Sequence, residues 1–220
     1  MGLSEPSGKC WKGFFCLGGA DRPDPPFRDS GGGPCPKGYY CSEGSATPQL
    51  CPQGTISTDD GQASCRACPQ GFYCPASDNG SSSVTNECPV GHYCPSGTWS
   101  KHQYPCPSGS INPHTQMATP QDCLPCPPGS FCASPGMGVA SGQCNAGYFC
   151  ISGSWSSSPE DGGATGDRCP VGHFCPQGSS VPLPCPLGYY SNTTRNGHVS
   201  DCLPCPPGCA YKSVVVCFYH

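Results

Sequence analysis

The pattern of apolar and polar residues along the chain is too broken for a helix or a wide sheet. No stretch keeps apolar residues at helical spacing over about eleven residues, and proline or glycine interrupts nearly every window. Short runs such as residues 54–57 and 188–191 fit β ribbons. The pattern therefore predicts mostly loops and turns, with short two-stranded β ribbons and little or no helix.

A turn motif, Cys-Pro-x-Gly, recurs along the chain, and each copy is named by its first cysteine. Relaxed copies begin at Cys10 and Cys144, and strict copies begin at Cys35, Cys51, Cys68, Cys88, Cys106, Cys126, Cys169, Cys185 and Cys205. Proline at the second position and glycine at the fourth predict a type I turn with the proline at i+1. Pro128 and Pro207 stand at the third position, which that turn disfavours, so their two copies are expected to turn differently.

Seven copies continue as a longer motif, Cys-x-x-Gly-x-aromatic-Cys. The residue before the second cysteine is aromatic in every one of them, namely Phe15, Tyr40, Tyr73, Tyr93, Phe131, Phe149 and Phe174. A constant aromatic residue beside a cysteine indicates a packing role. Each ring is expected to lie on a disulfide or a neighbouring turn and to form a miniature core.

The cysteine content decides between disorder and a cross-linked fold. The 220 residues include 23 Cys, 29 Pro and 31 Gly, and about a tenth of cysteine is typical of a disulfide scaffold. Only 35% of residues are hydrophobic, so cross-links must replace an ordinary core. Because a reducing cytosol keeps thiols reduced, the composition favours an extracellular location, either secreted or as the ectodomain of a larger protein.

The motifs group into an elongated tandem array of small disulfide-rich repeats. We predict an N-terminal partial repeat and linker at 1–34, cysteine-rich repeats at 35–87 and 88–143, a half-repeat and linker at 144–168, a truncated third repeat at 169–208 and an aberrant tail at 209–220. The tail departs from the motif because Ala210 and Tyr211 stand where an aromatic residue and a cysteine are expected. No signal-peptide core is visible at residues 1–6, and both ends suggest an incomplete chain or a splice form.

Two disulfide schemes are compatible with the spacing of the cysteines. In the local scheme each long motif closes on itself and the other cysteines pair within their repeat, giving Cys10–Cys16, Cys35–Cys41, Cys51–Cys65, Cys68–Cys74, Cys88–Cys94, Cys106–Cys123, Cys126–Cys132, Cys144–Cys150, Cys169–Cys175 and Cys185–Cys202. In the rival scheme a second cysteine is bonded forward, as in Cys41–Cys51. The local scheme leaves Cys205, Cys209 and Cys217 over, where the motif breaks.

Three segments resemble a known extracellular module. Residues 51–55 (Cys-Pro-Gln-Gly-Thr) followed by 65–71 (Cys-Arg-Ala-Cys-Pro-Gln-Gly) are similar to the cysteine-rich repeat of ephrin-receptor-like domains, and 106–129 and 185–208 repeat the pattern. The resemblance covers most of residues 35–208 and places the chain near the growth-factor-receptor-type cysteine-rich modules. It implies a stalk, a spacer or an adhesion surface, with no catalytic residue to carry over.

Zinc binding is the sharpest rival to disulfides. Three pairs have zinc-knuckle spacing, namely Cys65/Cys68, Cys123/Cys126 and Cys202/Cys205. His92 and His173 each lie two residues before a cysteine. The same spacing arises wherever one disulfide ends beside another, and we favour that interpretation. No metal ligand, cofactor or catalytic residue is therefore assigned, and an intracellular zinc-binding protein is a distant alternative.

Charge and surface motifs restrict the partners. The net charge is −4 without a Lys/Arg cluster, which argues against nucleic acid, and no apolar run is long enough to span a membrane. Asn79 and Asn192 begin N-glycosylation patterns. Trp99 and Trp155 occupy matching places after Gly-Thr and Gly-Ser, where each either covers a disulfide, which we favour, or anchors an interface.

We expect a non-enzymatic extracellular structural or adhesive spacer built of ephrin-receptor-like cysteine-rich repeats. The alternative is a ligand-binding ectodomain fragment of a receptor, whose partner would be an unknown protein or glycan. The two differ in one observable, because a binding module should carry a contiguous exposed aromatic patch on one face.

Overall fold

The computed structural model of the protein describes residues 8–26, 31–75 and 85–206, together with two strands near the end of the chain. It contains twenty strands of two or three residues, which in chain order are β1 (Phe14–Cys16), β2 (Gly32–Pro34), β3 (Tyr39–Tyr40), β4 (Gln49–Leu50), β5 (Thr55–Ile56), β6 (Arg66–Ala67), β7 (Phe72–Tyr73), β8 (Asn86–Glu87), β9 (Ser110–Ile111), β10 (Leu124–Pro125), β11 (Ser130–Phe131), β12 (Gly142–Gln143), β13 (Tyr148–Cys150), β14 (Gly166–Arg168), β15 (His173–Phe174), β16 (Leu183–Pro184), β17 (Tyr189–Tyr190), β18 (Leu203–Pro204), β19 (Cys209–Tyr211) and β20 (Cys217–Tyr219).

The strands form ten two-stranded antiparallel ribbons, each made of two strands that follow one another in the chain. In the nine ribbons formed by β1 to β18, the first strand comes directly after the glycine of a turn motif, and the second ends directly before the next motif. In the Cys35 motif, β3 follows Gly38 and pairs with β4, which ends at Leu50. The ribbons predicted at 54–57 and 188–191 are present as β5 and β17.

Helix is confined to two single turns of 3-10 type among the described residues, Pro120–Asp122 and Val199–Asp201. Each turn ends directly before a cysteine, Cys123 or Cys202, that closes a disulfide with a sequence separation of 17. The corresponding disulfide to Cys65 has a separation of 14 and no such turn. The predicted fold class of small disulfide-rich repeats, with loops, turns and short ribbons, is confirmed.

The turn of the motif differs from the type I turn expected. In the Cys51 motif the N–H of Thr55 donates to the carbonyl of Pro52 at 3.0 Å, so the turn begins at the proline. Gly54 then stands at i+2 with a φ of 77°, the positive value that a type II turn requires there. The third residue of the motif becomes i+1, where proline is favoured.

Pro128 therefore adopts the same turn as the other copies, and the expectation of a different turn is wrong for it. The N–H of Ser130 donates to the carbonyl of Pro127 at 3.1 Å, and Gly129 has a φ of 77°. Pro207 lies outside the described residues.

Ten disulfides join the cysteine pairs of the local scheme, and none of these joins the forward pair of the rival scheme. Seven have a sequence separation of 6. Three close longer loops, from Cys51, Cys106 and Cys185. The expectation that Cys205 is left over is wrong, because its sulfur is also disulfide-bonded. The side chains of Cys209 and Cys217 lie outside the described residues.

Cysteine forms most of the buried interior. Among the described residues, the buried hydrophobic side chains other than proline are Ile56 and seventeen cysteines. Ile56 packs with Cys68 and Cys74, and Phe72 covers them. Burial of disulfides in place of branched aliphatic side chains agrees with the low hydrophobic content of the chain.

Aromatic residues of the long motif lie half-buried on the ribbons. A Cβ added at Gly142 would lie 3.2 Å from Cε1 of Phe131, and one added at Gly33 would lie 3.7 Å from Cε1 of Phe15. Both glycines stand opposite their ring in the ribbon. At these two positions the ring packs on the opposite strand, which a larger residue would obstruct.

The chain divides into two compact units. One comprises Met1–Pro89, Tyr93–Tyr104 and Thr115–Thr119, and the other comprises Val90–His92, Pro105–His114 and Pro120–His220. The first unit contains strands β1 to β8 and the second contains β9 to β20. The repeat boundaries predicted from the sequence stay a prediction. Within the described residues, no helix has the length and apolarity needed to cross a bilayer.

We predict that the chain, expressed in an oxidising compartment, carries one free thiol. Ten disulfides and the bonded Cys205 with its partner account for 22 of the 23 cysteines. Intact-mass analysis after alkylation without reduction should show one adduct, and the reduced control should show 23. Ten or more adducts before reduction would contradict the disulfide-bonded fold.

Candidate functional site

In six of the described turn motifs the glycine is held by the two cysteines of the next motif. In the Cys126 motif, the N–H of Gly129 donates to the carbonyl of Cys150 at 2.8 Å, and its carbonyl accepts from the N–H of Cys144 at 2.9 Å. Cys144 and Cys150 are bonded to each other. The disulfide ring of one motif therefore holds the glycine of the preceding motif by both of its backbone polar groups, and this pair of bonds is called the glycine staple.

The staple recurs in both units. Within the first unit it is formed by Gly13 with Cys41 and Cys35, by Gly54 with Cys74 and Cys68, and by Gly71 with Cys94 and Cys88. Within the second it is formed by Gly109 with Cys132 and Cys126, and by Gly147 with Cys175 and Cys169. The repeated element of the fold is thus a single turn motif with its ribbon.

Buried polar residues replace the second cysteine in three motifs. The first cysteine of these motifs is bonded far ahead, and the residue six positions after it is Ser57, Asn112 or Ser191. Their carbonyls accept the N–H of Gly38, Gly91 and Gly172, as a cysteine carbonyl does elsewhere. Sequence reasoning missed this role, although the position six after the motif cysteine was the available signal.

Asn112 shows how such a residue compensates for the missing disulfide. Its side chain is fully buried, and its Nδ2 donates to the carbonyl of His92 at 2.7 Å. Its Oδ1 accepts from the N–H of His114 at 3.1 Å. A buried amide with both ends hydrogen-bonded avoids the desolvation cost of an unpaired polar group. The side-chain amide therefore cross-links the backbone where a sulfur bridge is absent.

A third contact comes from two motifs ahead. A Cβ added at Gly109 would lie 2.5 Å from the carbonyl oxygen of Gly153, and the φ of Gly109 is 80°. Distances under 3.0 Å are essentially never found for real Cβ atoms. The motif glycine is thus required both by its turn and by the close approach of another motif, and sequence reasoning assigned it only the turn.

Two residues other than glycine adopt positive φ among the described residues, Gln116 at 63° and Arg195 at 65°. Both stand ten positions after a motif cysteine, where Gly61 and Gly136 stand in other copies. Such backbone conformations cost energy for residues with a side chain. Each of the two side chains reaches a carboxylate of an earlier motif, and Nε2 of Gln116 donates to Glu87 at 2.7 Å.

Glu160 is the centre of the largest described ionic cluster. It accepts hydrogen bonds from the Tyr148 hydroxyl at 3.1 Å, from Arg168 at 3.0 Å and from Arg195. The Arg195 guanidinium also lies 5.5 Å from the centroid of the Tyr148 ring. The Tyr148 hydroxyl, followed by the Arg195 hydrogen bond, lowers the pKa of Glu160 despite partial desolvation. Burial, followed by the hydrogen bond to Glu160, raises the pKa of Tyr148.

Trp155 stands beside this cluster with 55% of its surface exposed. It forms one wall of an open groove of about 280 Å³ that is lined by Trp155, Ser156, Ser158, Pro159, Glu160 and Asp161. Trp99, its counterpart in the first unit, is 43% exposed. The Cβ atom of each tryptophan lies near a motif glycine, Gly54 for Trp99 and Gly109 for Trp155. Both side chains nevertheless remain solvent-accessible.

The remaining candidate residues lie at separate places in the fold. Asn192 is exposed, whereas Asn79 lies outside the described residues. Nδ1 of His92 and of His173 hydrogen-bonds a valine carbonyl two residues earlier, at 3.1 and 3.0 Å. The cysteines with zinc-knuckle spacing are all disulfide-bonded, for example Cys65 to Cys51 and Cys68 to Cys74. A disulfide sulfur is not the thiolate that zinc binds.

Comparison with known proteins does not assign the chain to a family. No protein-family model matches the chain, and no curated protein is similar to it in sequence. The structure is that of a disulfide-rich repeat protein of extracellular type, and its described part contains ten cysteine pairs with both sulfurs described and ten ribbons.

Replacing Gly109 with alanine should open the staple locally. We expect hydrogen exchange of the Cys126 amide, which donates to the Gly109 carbonyl at 2.8 Å, to accelerate by about tenfold or more. Alanine disfavours the positive φ of this position, and its Cβ would also clash with the Gly153 carbonyl oxygen. Gly162→Ala is the matched control, since Gly162 has a φ of 75° and nothing within 4 Å of an added Cβ. Equal effects of the two variants in NMR hydrogen exchange would show that the close approach is unimportant.

The lowered pKa of Glu160 predicts that its ionic cluster loosens in acid. The ionised Glu160 carboxylate contributes to stability at pH values above its ordinary pKa of 4.5, and this contribution is lost as the pH falls through the lower pKa that the group has in the folded chain. Titration of the Glu160 carboxyl by NMR should give a midpoint below 4.5. Tyr148→Phe should raise that midpoint, and Tyr189→Phe should leave it unchanged. A wild-type midpoint at or above 4.5 would refute the hydrogen-bonded cluster.

Proposed function

We propose that the chain is a non-enzymatic extracellular structural or adhesive spacer built of cysteine-rich repeats. The observation that carries this proposal is the recurrence of one glycine staple from motif to motif in both units. An element that repeats the same contact can extend an array without a specialised centre. The exposed surface is then available for spacing or for adhesion.

The character of the ionisable groups supports a structural role over catalysis. The shifted carboxylates, Asp24, Glu160 and Asp161, are held by arginine, tyrosine or threonine partners. Their pKa values are lowered, which keeps them ionised at neutral pH. General acid or base catalysis is favoured by a pKa near the operating pH, and these shifts run away from it.

The number of disulfides and the redox chemistry of the compartments support an extracellular location. The exposed Asn192, in the pattern Asn-Thr-Thr, is proposed to carry an N-linked glycan. The likeness of residues 51–71 to ephrin-receptor-like repeats is consistent with this assignment and rests on the motif alone.

A ligand-binding ectodomain is the second candidate, and the exposed tryptophans favour it. Trp11, Trp99 and Trp155 are 58%, 43% and 55% exposed, and tryptophan is enriched among residues that dominate binding energy. The groove beside Trp155 would be one anchoring place for a protein or glycan.

A binding assay distinguishes the two candidates. We expect the fluorescently labelled chain to give no saturable, tryptophan-dependent binding to cell surfaces or glycan arrays at about 10 µM, a range that captures modest affinities. Trp155→Ala and Trp99→Ala test the anchors, and Leu187→Ala, at an 81% exposed position, is the matched control. Saturable binding that is lost in a tryptophan variant and kept in the leucine variant would establish the ectodomain instead.

A further inference from the structure

The groove beside Trp155 combines an exposed aromatic wall with two carboxylates. Its lining consists of Trp155, Ser156, Ser158, Pro159, Glu160 and Asp161, around a volume of about 280 Å³. Ligand pockets measure about 300–1,000 Å³, so this groove suits a single side chain better than a whole small molecule. Of the described residues, no lysine or arginine lines it. The groove is therefore complementary to a small, positively charged group.

The backbone that carries the aromatic wall is held on both sides of Trp155. Ser154 is fully buried, its carbonyl accepts the Cys132 N–H at 2.9 Å, and its hydroxyl donates to the Ser156 carbonyl at 3.0 Å. The N–H of Ser158 donates to the Ser156 hydroxyl at 3.1 Å. A surface that is already ordered loses little conformational entropy when a ligand binds to it.

Asp161 supplies the groove with an oriented carboxylate. Its oxygens accept from the Thr165 N–H at 3.1 Å and from the Thr165 hydroxyl at 2.6 Å, and these hydrogen bonds lower its pKa. A carboxylate has about four acceptor positions, so capacity remains for a further donor. None of the ion pairs between described residues includes Asp161. Its negative charge is therefore available to a cation in the groove.

The chain already contains the kind of interaction that the groove could make. The Arg195 guanidinium lies 5.5 Å from the centroid of the Tyr148 ring and also donates to Glu160. One guanidinium thus contacts an aromatic face and a carboxylate at the same time. Trp155 and Asp161 present the same two features to the groove. Tryptophan is the aromatic side chain that attracts cations most strongly.

Trp99 occupies the matching place in the first unit, but the charges that follow it differ. Lys101 comes two residues after Trp99, whereas Glu160 and Asp161 come five and six residues after Trp155. A nearby lysine repels a second cation, and carboxylates attract it. The two tryptophans therefore provide a comparison within one chain.

We propose that the Trp155 groove binds an arginine side chain of a partner protein. The guanidinium would stack on the exposed indole and donate to the Asp161 carboxylate. Arginine fits better than lysine because its planar group is more weakly hydrated and stacks on aromatic rings. The inference goes beyond the spacer proposal, which rests on the glycine staple, and it names the ligand class for the groove of the ectodomain candidate.

A single exposed contact of this kind should have a dissociation constant of about 1 mM or more, because exposed ion pairs contribute little. At about 10 µM it would occupy only about one hundredth of the grooves, so the cell-surface assay does not test it. The probe is therefore the blocked tripeptide acetyl-Gly-Arg-Gly-amide, added at up to about 20 mM to the full-length, ¹⁵N-labelled chain. The control peptide contains citrulline, which has the shape of arginine without its charge.

We expect saturable NMR shifts of the Trp155 indole and the Asp161 amide, with the Trp99 indole unchanged. The citrulline peptide should bind about tenfold more weakly, because it loses the charge-assisted hydrogen bond. Asp161→Asn should weaken binding of the arginine peptide by about the same factor. Asp60→Asn is the matched control, since it removes the same charge from an exposed position that does not line the groove.

Equal binding of the two peptides, equal shifts of the two indoles, or no shift at the highest concentration would overturn the proposal. A neutral trisaccharide of N-acetylglucosamine is tested in parallel, and binding of this sugar without binding of the arginine peptide would overturn it in favour of a glycan. Each of these results would leave the spacer proposal standing, because the glycine staple does not involve the groove.

Discussion

The short disulfide between cysteines six positions apart is the constraint on which the rest of this structure depends. By the loop-entropy model a ring of about seven residues stabilises the fold by only about 2 kcal/mol. Its larger effect is geometric. In the Cys144–Cys150 ring, the cross-link fixes the N–H of one cysteine and the carbonyl of the other at a spacing that receives both polar groups of Gly129. A chain with few aliphatic side chains thereby satisfies its backbone in repeated local units.

The variations among the motifs follow from the same requirement. Where a second cysteine is absent, the carbonyl that receives the glycine must still be held in place. Asn112 does this with a fully buried side-chain amide, and a longer disulfide from Cys106 to Cys123 closes the surrounding loop. Gln116 keeps an unfavourable positive φ in this motif, and its side chain gains a hydrogen bond to Glu87. Strain at one position is thus accompanied by a contact to an earlier motif.

The framework of this fold is built from backbone contacts, so the side chains on its surface can change without disturbing it. The glycine staple uses backbone groups, so the outward side chains vary from motif to motif. Trp155 and Glu160 lie in the long connection between the Cys144 and Cys169 motifs. Such connections are the places where a spacer can acquire a binding surface without disturbing its framework.

The sequence by itself determined the repeat, the near absence of helix and the ribbons at β5 and β17. It offered the local pairs as one of two disulfide schemes, and the structure decided between them. These predictions follow from features that lie within one motif: short cysteine spacing, frequent proline and glycine, and an aromatic residue beside the second cysteine. Only the tertiary structure decided that Gly54 stands at i+2 of its turn, that Gly109 lies against Gly153, that Asn112 takes the place of a cysteine and that Cys205 is bonded. The first depends on which of two turns the same few residues adopt, and the second and third depend on contacts between motifs. The spacing within a motif does not specify which atoms of the next motif, or of the one after it, come within hydrogen-bonding or van der Waals distance.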